Sequence, residues 1–187
     1  MFLKRQKVQL ADDDTESVGL LFRLRLPPLI VGLFLGMILS FSVSRLEEVI
    51  ATNVSVAFFI PFVVYLAAAV GAQTQAIYVR ELRSGKSSFK GYFAKECALG
   101  VCFGIIFAVI TGVLVNLWFG DIQLSKAVAL SVLGAVGVAP VVALVVTELL
   151  ELEHTDPAVG AGPIATVIQD TISVLVYGFI TTAILLN

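Results

Sequence analysis

Apolar residues in this chain gather into long runs, set apart by short polar stretches, and do not alternate with polar ones at the two-residue period of a strand. The runs cover approximately residues 26–44, 53–79, 97–119, 126–149 and 158–186. A helix needs about 20 such residues to cross a hydrocarbon core of roughly 30 Å. The pattern therefore predicts an all-α integral membrane protein with five transmembrane helices. Residues 1–22 are polar enough to read as a cytosolic segment leading into the first span, and 23–187 as one membrane domain.

Prolines and glycines punctuate the spans. Pro27 and Pro28 suit the entrance of the first helix, and Pro61 should bend or restart the second. Pro140 should kink the fourth. Asp156 can cap the fifth, with Pro157 in its first turn. Gly160, Gly162 and Pro163 then weaken that turn. Small residues recur at steps of four: Gly32 and Gly36 in the first span, Gly100, Gly104, Ala108 and Gly112 in the third. Such ridges let backbones approach closely where lipid supplies no hydrophobic drive between helices.

Composition agrees. The chain has 187 residues, 58% hydrophobic and 14% charged, against about 45–50% and 25% for a soluble domain. Net charge of −2 matters less than where the charge lies. With the N-terminus in the cytosol, Lys4, Arg5, Lys7, Arg23, Arg25, Arg80, Arg83, Lys86, Lys90 and Lys95 all fall inside. Only Arg45 and Lys126 fall outside. That asymmetry satisfies the positive-inside rule and puts the C-terminus outside a plasma membrane. Cys97 and Cys102 are five apart with no histidine beside them, so they read as small buried thiols. There is no phosphate loop, metalloprotease helix or nucleophile elbow, and a membrane enzyme is not expected. The single histidine, His154, reads as a solvated loop residue.

One residue resists a purely structural reading. Asp170 lies inside the fifth run, where an acid costs roughly 2.5 kcal/mol or more by insertion scales. On a helix, Gly162, Thr166, Asp170, Ser173 and Tyr177 fall on one face at steps of four, four, three and four. They make a polar stripe through the span. Either Asp170 is an isolated acid bonded to hydroxyls of a neighbouring helix, or it is the mid-membrane anion of a wet, cation-accessible path. The second run offers companions: Gly71, Gln73, Thr74 and Gln75 are expensive to bury unless satisfied. Gly71 would permit a close approach or a local break. Oxygen donors with a carboxylate suit a hard cation such as Mg²⁺, Ca²⁺ or Mn²⁺. At the span ends, Glu47 and Glu48 on one side and Glu148, Glu151, Glu153 and Asp156 on the other either concentrate cations at a mouth or are simply solvated.

Four ordered pieces, "RLPPLIVGLFLG", "EEVIATNVSVAFFIPFVV", "GAQTQAIYVREL" and "DPAVGAGPIATVIQDTISVLVYGF", resemble the transmembrane domain of the MgtE family of magnesium channels. The resemblance runs from about Arg23 to the C-terminus. It implies a homodimer of ten helices around an ion path on the two-fold axis. It also implies that Asp170 binds hydrated Mg²⁺, with the backbone near Thr166 and Gly162 completing the ion-facing positions. Family members usually carry a cytosolic N-domain and CBS domains; neither is present in these 187 residues, so a separate regulatory protein is a conceivable partner. The family's second-helix motif, typically GGNAGTQ, reads here Ala69-Val70-Gly71-Ala72-Gln73-Thr74-Gln75. Gln73 is thus a candidate to replace the carboxamide missing at Gly71.

The expected function is passive entry of a divalent cation, Mg²⁺ before others, past two Asp170 carboxylates. Mg²⁺ is the cargo; no organic cofactor and no nucleic-acid partner are expected. The alternatives are a transporter preferring Mn²⁺ or Co²⁺, and a non-conducting membrane subunit that works with a regulatory partner.

Overall fold

The computed structural model describes residues 14–84, 88–152 and 157–186. Among them lie six helices: α1 (Val18–Ser44), α2 (Glu47–Thr52), α3 (Ser55–Ser84), α4 (Phe89–Phe119), α5 (Ile122–Leu152) and α6 (Pro157–Leu185). All but the short α2 are long and apolar enough to cross a membrane, and the chain is a multi-pass membrane protein.

Most helices begin earlier than the apolar runs suggest, because the runs mark the part in hydrocarbon while the hydrogen-bonded ladder continues beyond it. Helix α1 starts at Val18 because Ser17, in extended conformation, caps it through its side chain to the Leu20 amide. Pro27 and Pro28 therefore lie inside α1, not at its entrance. Helix α3 continues through Pro61 and through Gly71, without the restart or break expected there. Helix α6 likewise runs through Pro163.

The hub is α5, which packs against α3, α4 and α6. Its apolar stripe is broad: Leu124, Val128, Val132, Val136, Ala139 and Leu144 are all buried. Opposite it, α3 presents Val56, Phe59, Val63, Ala67, Val70, Thr74 and Tyr78 at steps of three and four, the spacing of one helical face. The partner face of α6 carries Ala165, Gln169, Ser173, Val174 and Tyr177.

Helix α4 meets α5 through the predicted glycine ladder. A Cβ on Gly100 would collide with the Gly137 carbonyl oxygen, and one on Gly104 would lie 2.9 Å from the Leu133 carbonyl oxygen. A Cβ on Gly112 would lie 3.1 Å from the Ala129 Cβ. The two backbones are thus in direct contact, and dispersion over that contact holds the pair where burial from lipid gains little. Their connection is minimal. Gly120, at φ +66°, ends α4, and its amide bonds the Asn116 carbonyl. Asp121 then opens α5, accepting from the Gln123 and Leu124 amides at 2.9 and 3.0 Å. Its other oxygen accepts from the Asn53 side chain at 3.4 Å, tying this corner to the start of α3.

Helix α1 differs from the rest. It packs mainly against α6 and has no buried residue. Gly32 and Gly36 have no atom within 4 Å of where a Cβ would sit, so this pair makes no helix contact within the described protomer. Just beyond α1, Leu46 plugs the notch that Gly178 leaves in α6.

Candidate functional site

Helix α6 carries polar groups on two faces, and the structure splits the expected stripe between them. Ser173 and Tyr177 turn into the protomer and are fully buried. The Ser173 hydroxyl donates to the Gln169 carbonyl oxygen at 2.8 Å, and the Tyr177 hydroxyl to the Val56 carbonyl oxygen at 2.6 Å. Thr181, one turn further, donates to the Tyr177 carbonyl oxygen at 2.7 Å. These groups fasten α6 to α3 and to itself. Helical spacing places all five residues near one face but does not reveal how far a neighbouring helix wraps around it.

The remaining three, Gly162, Thr166 and Asp170, lie at the edge of that packed face. Thr166 is exposed and Asp170 half-buried. The Thr166 hydroxyl donates to the Gly162 carbonyl oxygen at 2.9 Å, which leaves the lone pairs of the hydroxyl oxygen available. A Cβ at Gly162 would meet nothing within 4 Å. The Asp170 Oδ1 is buried yet has no hydrogen-bond donor among the described residues. Buried polar oxygens are nearly always bonded, so this one stands out as lacking its compensation among the described residues.

On α3 the four candidates part company. Thr74 is buried, and its hydroxyl donates to Glu96 Oε2 at 2.8 Å. Gln73 is exposed, whereas Gly71 is buried against α5 and α6. A Cβ on Gly71 would lie 3.5 Å from the Ala139 carbonyl oxygen and 3.9 Å from the Gln169 Cγ. The carboxamide nearest Gly71 therefore comes from Gln169 of α6, where Gln73 was the expected donor. Gln75 and Thr166 line, with Gly71, Ala143 and Gln169, a cavity of about 20 Å³ between α3, α5 and α6.

Glu96 and Gln169 are polar residues that the pattern did not single out. Glu96 is only 7% exposed, in a span, and extending the glycine ladder back one step from Gly100 would have found it. Glu148 is not a free vestibule acid: its Oε2 accepts from the Tyr78 hydroxyl at 2.5 Å. Glu47 and Glu48 are exposed in the first turn of α2, where acids favour the helix dipole. The side chain of Glu151, together with Glu153, His154 and Asp156, lies outside the described residues. Among the described residues, no three His, Cys, Asp or Glu side chains converge as a metal cage.

Ionisable residues inside membrane spans are rare and mark ion and substrate pathways in membrane transport proteins, and Asp170 is a residue of that kind. Comparison with known proteins gives the family: residues 60–180 match MgtE, a divalent cation transporter family, and the chain belongs to it. That family is one of transporters and not of enzymes. The chain is 28% identical over 173 residues to the magnesium transporter MgtE of Bacillus subtilis (strain 168), covering 91% of this chain and 38% of that protein. It is 30% identical over 156 residues to the magnesium transporter MgtE of Enterococcus faecalis (strain ATCC 700802 / V583), covering 82% and 34%. The chain thus spans a little over a third of the length of the curated relatives it matches.

Proposed function

We propose that this chain conducts divalent cations across a membrane, Mg²⁺ before others, with Asp170 as the mid-membrane anion. The observation that carries the reading is a carboxylate within a membrane-spanning helix, half-buried beside the exposed Thr166, whose Oδ1 finds no donor among the described residues. The names of the two bacterial relatives support Mg²⁺ as the cargo.

In this reading two protomers pair so that their α6 edges face one another and the two Asp170 carboxylates share one path. Mg²⁺ sheds water reluctantly. The carboxylates therefore hold the ion through its water shell, the hydroxyl oxygen at Thr166 accepts from a further water, and Gly162, with open space where a side chain would sit, leaves room for the shell. Two carboxylates close together repel, and a divalent ion relieves that repulsion more than a monovalent one. Ser173, Tyr177 and Thr74 set the position of α6 and α3 without touching the ion. The distribution of Lys and Arg supports a cytoplasmic N-terminus and an outer C-terminus.

The test is Mg²⁺ uptake into liposomes holding the purified chain or its Asp170→Asn variant. Loss of uptake in the variant is expected, and undiminished uptake would reject the assignment. A second reading, a preference for Mn²⁺ or Co²⁺, is favoured by Gly71, which has no side chain to offer the ion; competition among the three ions during uptake distinguishes it.

A further inference from the structure

We propose that the cavity ringed by Gly71, Gln75, Ala143, Thr166 and Gln169 is a site for one water molecule, through which Gln169 grips the hydration shell of the cation held at Asp170. The inference rests on the reading of Asp170 given above.

Gln169 is 4% exposed, and its Oε1 has no donor among the described residues. The orientation of its amide follows from Ser173. That hydroxyl has one proton, which it donates to the Gln169 carbonyl oxygen. Towards the Gln169 side chain it can only accept, and the Gln169 Nε2 donates to it at 3.2 Å. The amide nitrogen is therefore committed to Ser173, and Oε1 is the end left without a donor. Thr166, which also lines the cavity, has spent its proton on the Gly162 carbonyl oxygen and likewise presents an acceptor.

Gln169 and Thr166 each bring an oxygen that wants a donor, and Gln75 adds a carboxamide with both donor and acceptor. The volume, about 20 Å³, suits one water, for which about 10–15 Å³ is the minimum. It is far too small for a cation with a full shell. Water brings two protons, enough for Gln169 Oε1 and Thr166 Oγ1, while its lone pairs accept from Gln75 or from a water bound to the ion. Thr166, which lines the cavity, lies one turn from Asp170 on α6, and in the proposal the water reaches the ion's shell past it. Waters on a divalent ion are strongly polarised donors. An ion that keeps its shell engages the site, and one that sheds waters to bind loses that contact. Gln169 is thus a positioning residue for Mg²⁺ over Ca²⁺.

The experiment measures Mg²⁺ and Ca²⁺ uptake against ion concentration in liposomes containing the wild-type chain, Gly71→Ala, Gln169→Met, their double variant, and Asp170→Asn. Gly71→Ala adds one methyl at ordinary contact distances, 3.5 Å or more, and fills the cavity without disturbing the fold. We expect Gly71→Ala and Gln169→Met each to raise half-saturating Mg²⁺ about tenfold, the loss of one charge-assisted hydrogen bond. Maximal rates should stay within about twofold, the double variant should be no worse than either single one, and Ca²⁺ should move less than about threefold. Unchanged half-saturation in Gly71→Ala, or a loss confined to the maximal rate, overturns the water site even where Asp170→Asn abolishes uptake. Uptake that survives in Asp170→Asn, or is missing from the wild type, overturns the reading beneath it.

Discussion

Glu96 and Asp170, two of the acids on the membrane-spanning helices, have opposite surroundings. Glu96 of α4 is almost sealed from outside, and one of its oxygens receives the Thr74 hydroxyl. Asp170 of α6 is half-buried at an open edge, and its Oδ1 receives nothing from the described residues. A carboxylate in hydrocarbon must be compensated. Glu96 obtains part of that compensation from within the fold and acts as a fastener between α3 and α4, which also meet through the Phe59–Phe119 and Tyr78–Tyr92 ring pairs. Asp170 leaves its compensation to whatever arrives. Position in a span thus says that an acid matters; its partners say whether it holds the protein or the cargo.

The largest effect that would break this comparison is on transport. Asp170→Asn should lower Mg²⁺ uptake at least about a hundredfold, roughly 2.7 kcal/mol, with an unchanged melting temperature in detergent. Glu96→Gln should leave uptake within about threefold, and an exchange of these outcomes would refute the division of roles. Next in size is Gly100→Val. Its side chain must displace the Gly137 carbonyl oxygen, costing about 3 kcal/mol and shifting Glu96, one turn away on the same ladder; thermal unfolding reads it. Thr74→Val removes the donor and turns Glu96 into a second orphaned acid, at about 1–3 kcal/mol, whereas Thr74→Ser should restore most of it. Smallest is Tyr177→Phe, which frees the Val56 carbonyl oxygen and should cost about 1 kcal/mol without changing the concentration of Mg²⁺ needed for half-maximal uptake.

Much of the fold was legible in the chain. Long apolar runs imply five spans because lipid permits few alternatives to a helix, and the ladder of Gly100, Gly104 and Gly112, expected to let backbones approach closely, does so against α5. Local rules failed where a longer element overrode them. Ser17 starts α1 early enough to carry Pro27 and Pro28 into its interior, and Gly71 lies in an unbroken helix because α5 and α6 pack on either side. The site was legible only in part. Periodicity places Ser173 and Tyr177 near Asp170 but cannot say that Val56 of another helix waits for the tyrosine hydroxyl. Gln169 escaped notice because its partner, Ser173, looked like part of the polar stripe. Glu96 escaped because a hydropathy boundary at residue 97 cut it from its own helix.

The two-residue corner at Gly120 and Asp121 bears on how the molecule is made. Helices α4 and α5 are neighbours in sequence, closed by almost no loop, and bound along their length by bare backbone. Their association sacrifices little chain entropy, so they can meet as soon as both have left the ribosome, before α6 is synthesised. That hairpin then offers α5's other flanks as a template on which α3 and finally α6 settle. Asp170, the residue proposed to meet the ion, is in this order of events among the last to be put in place.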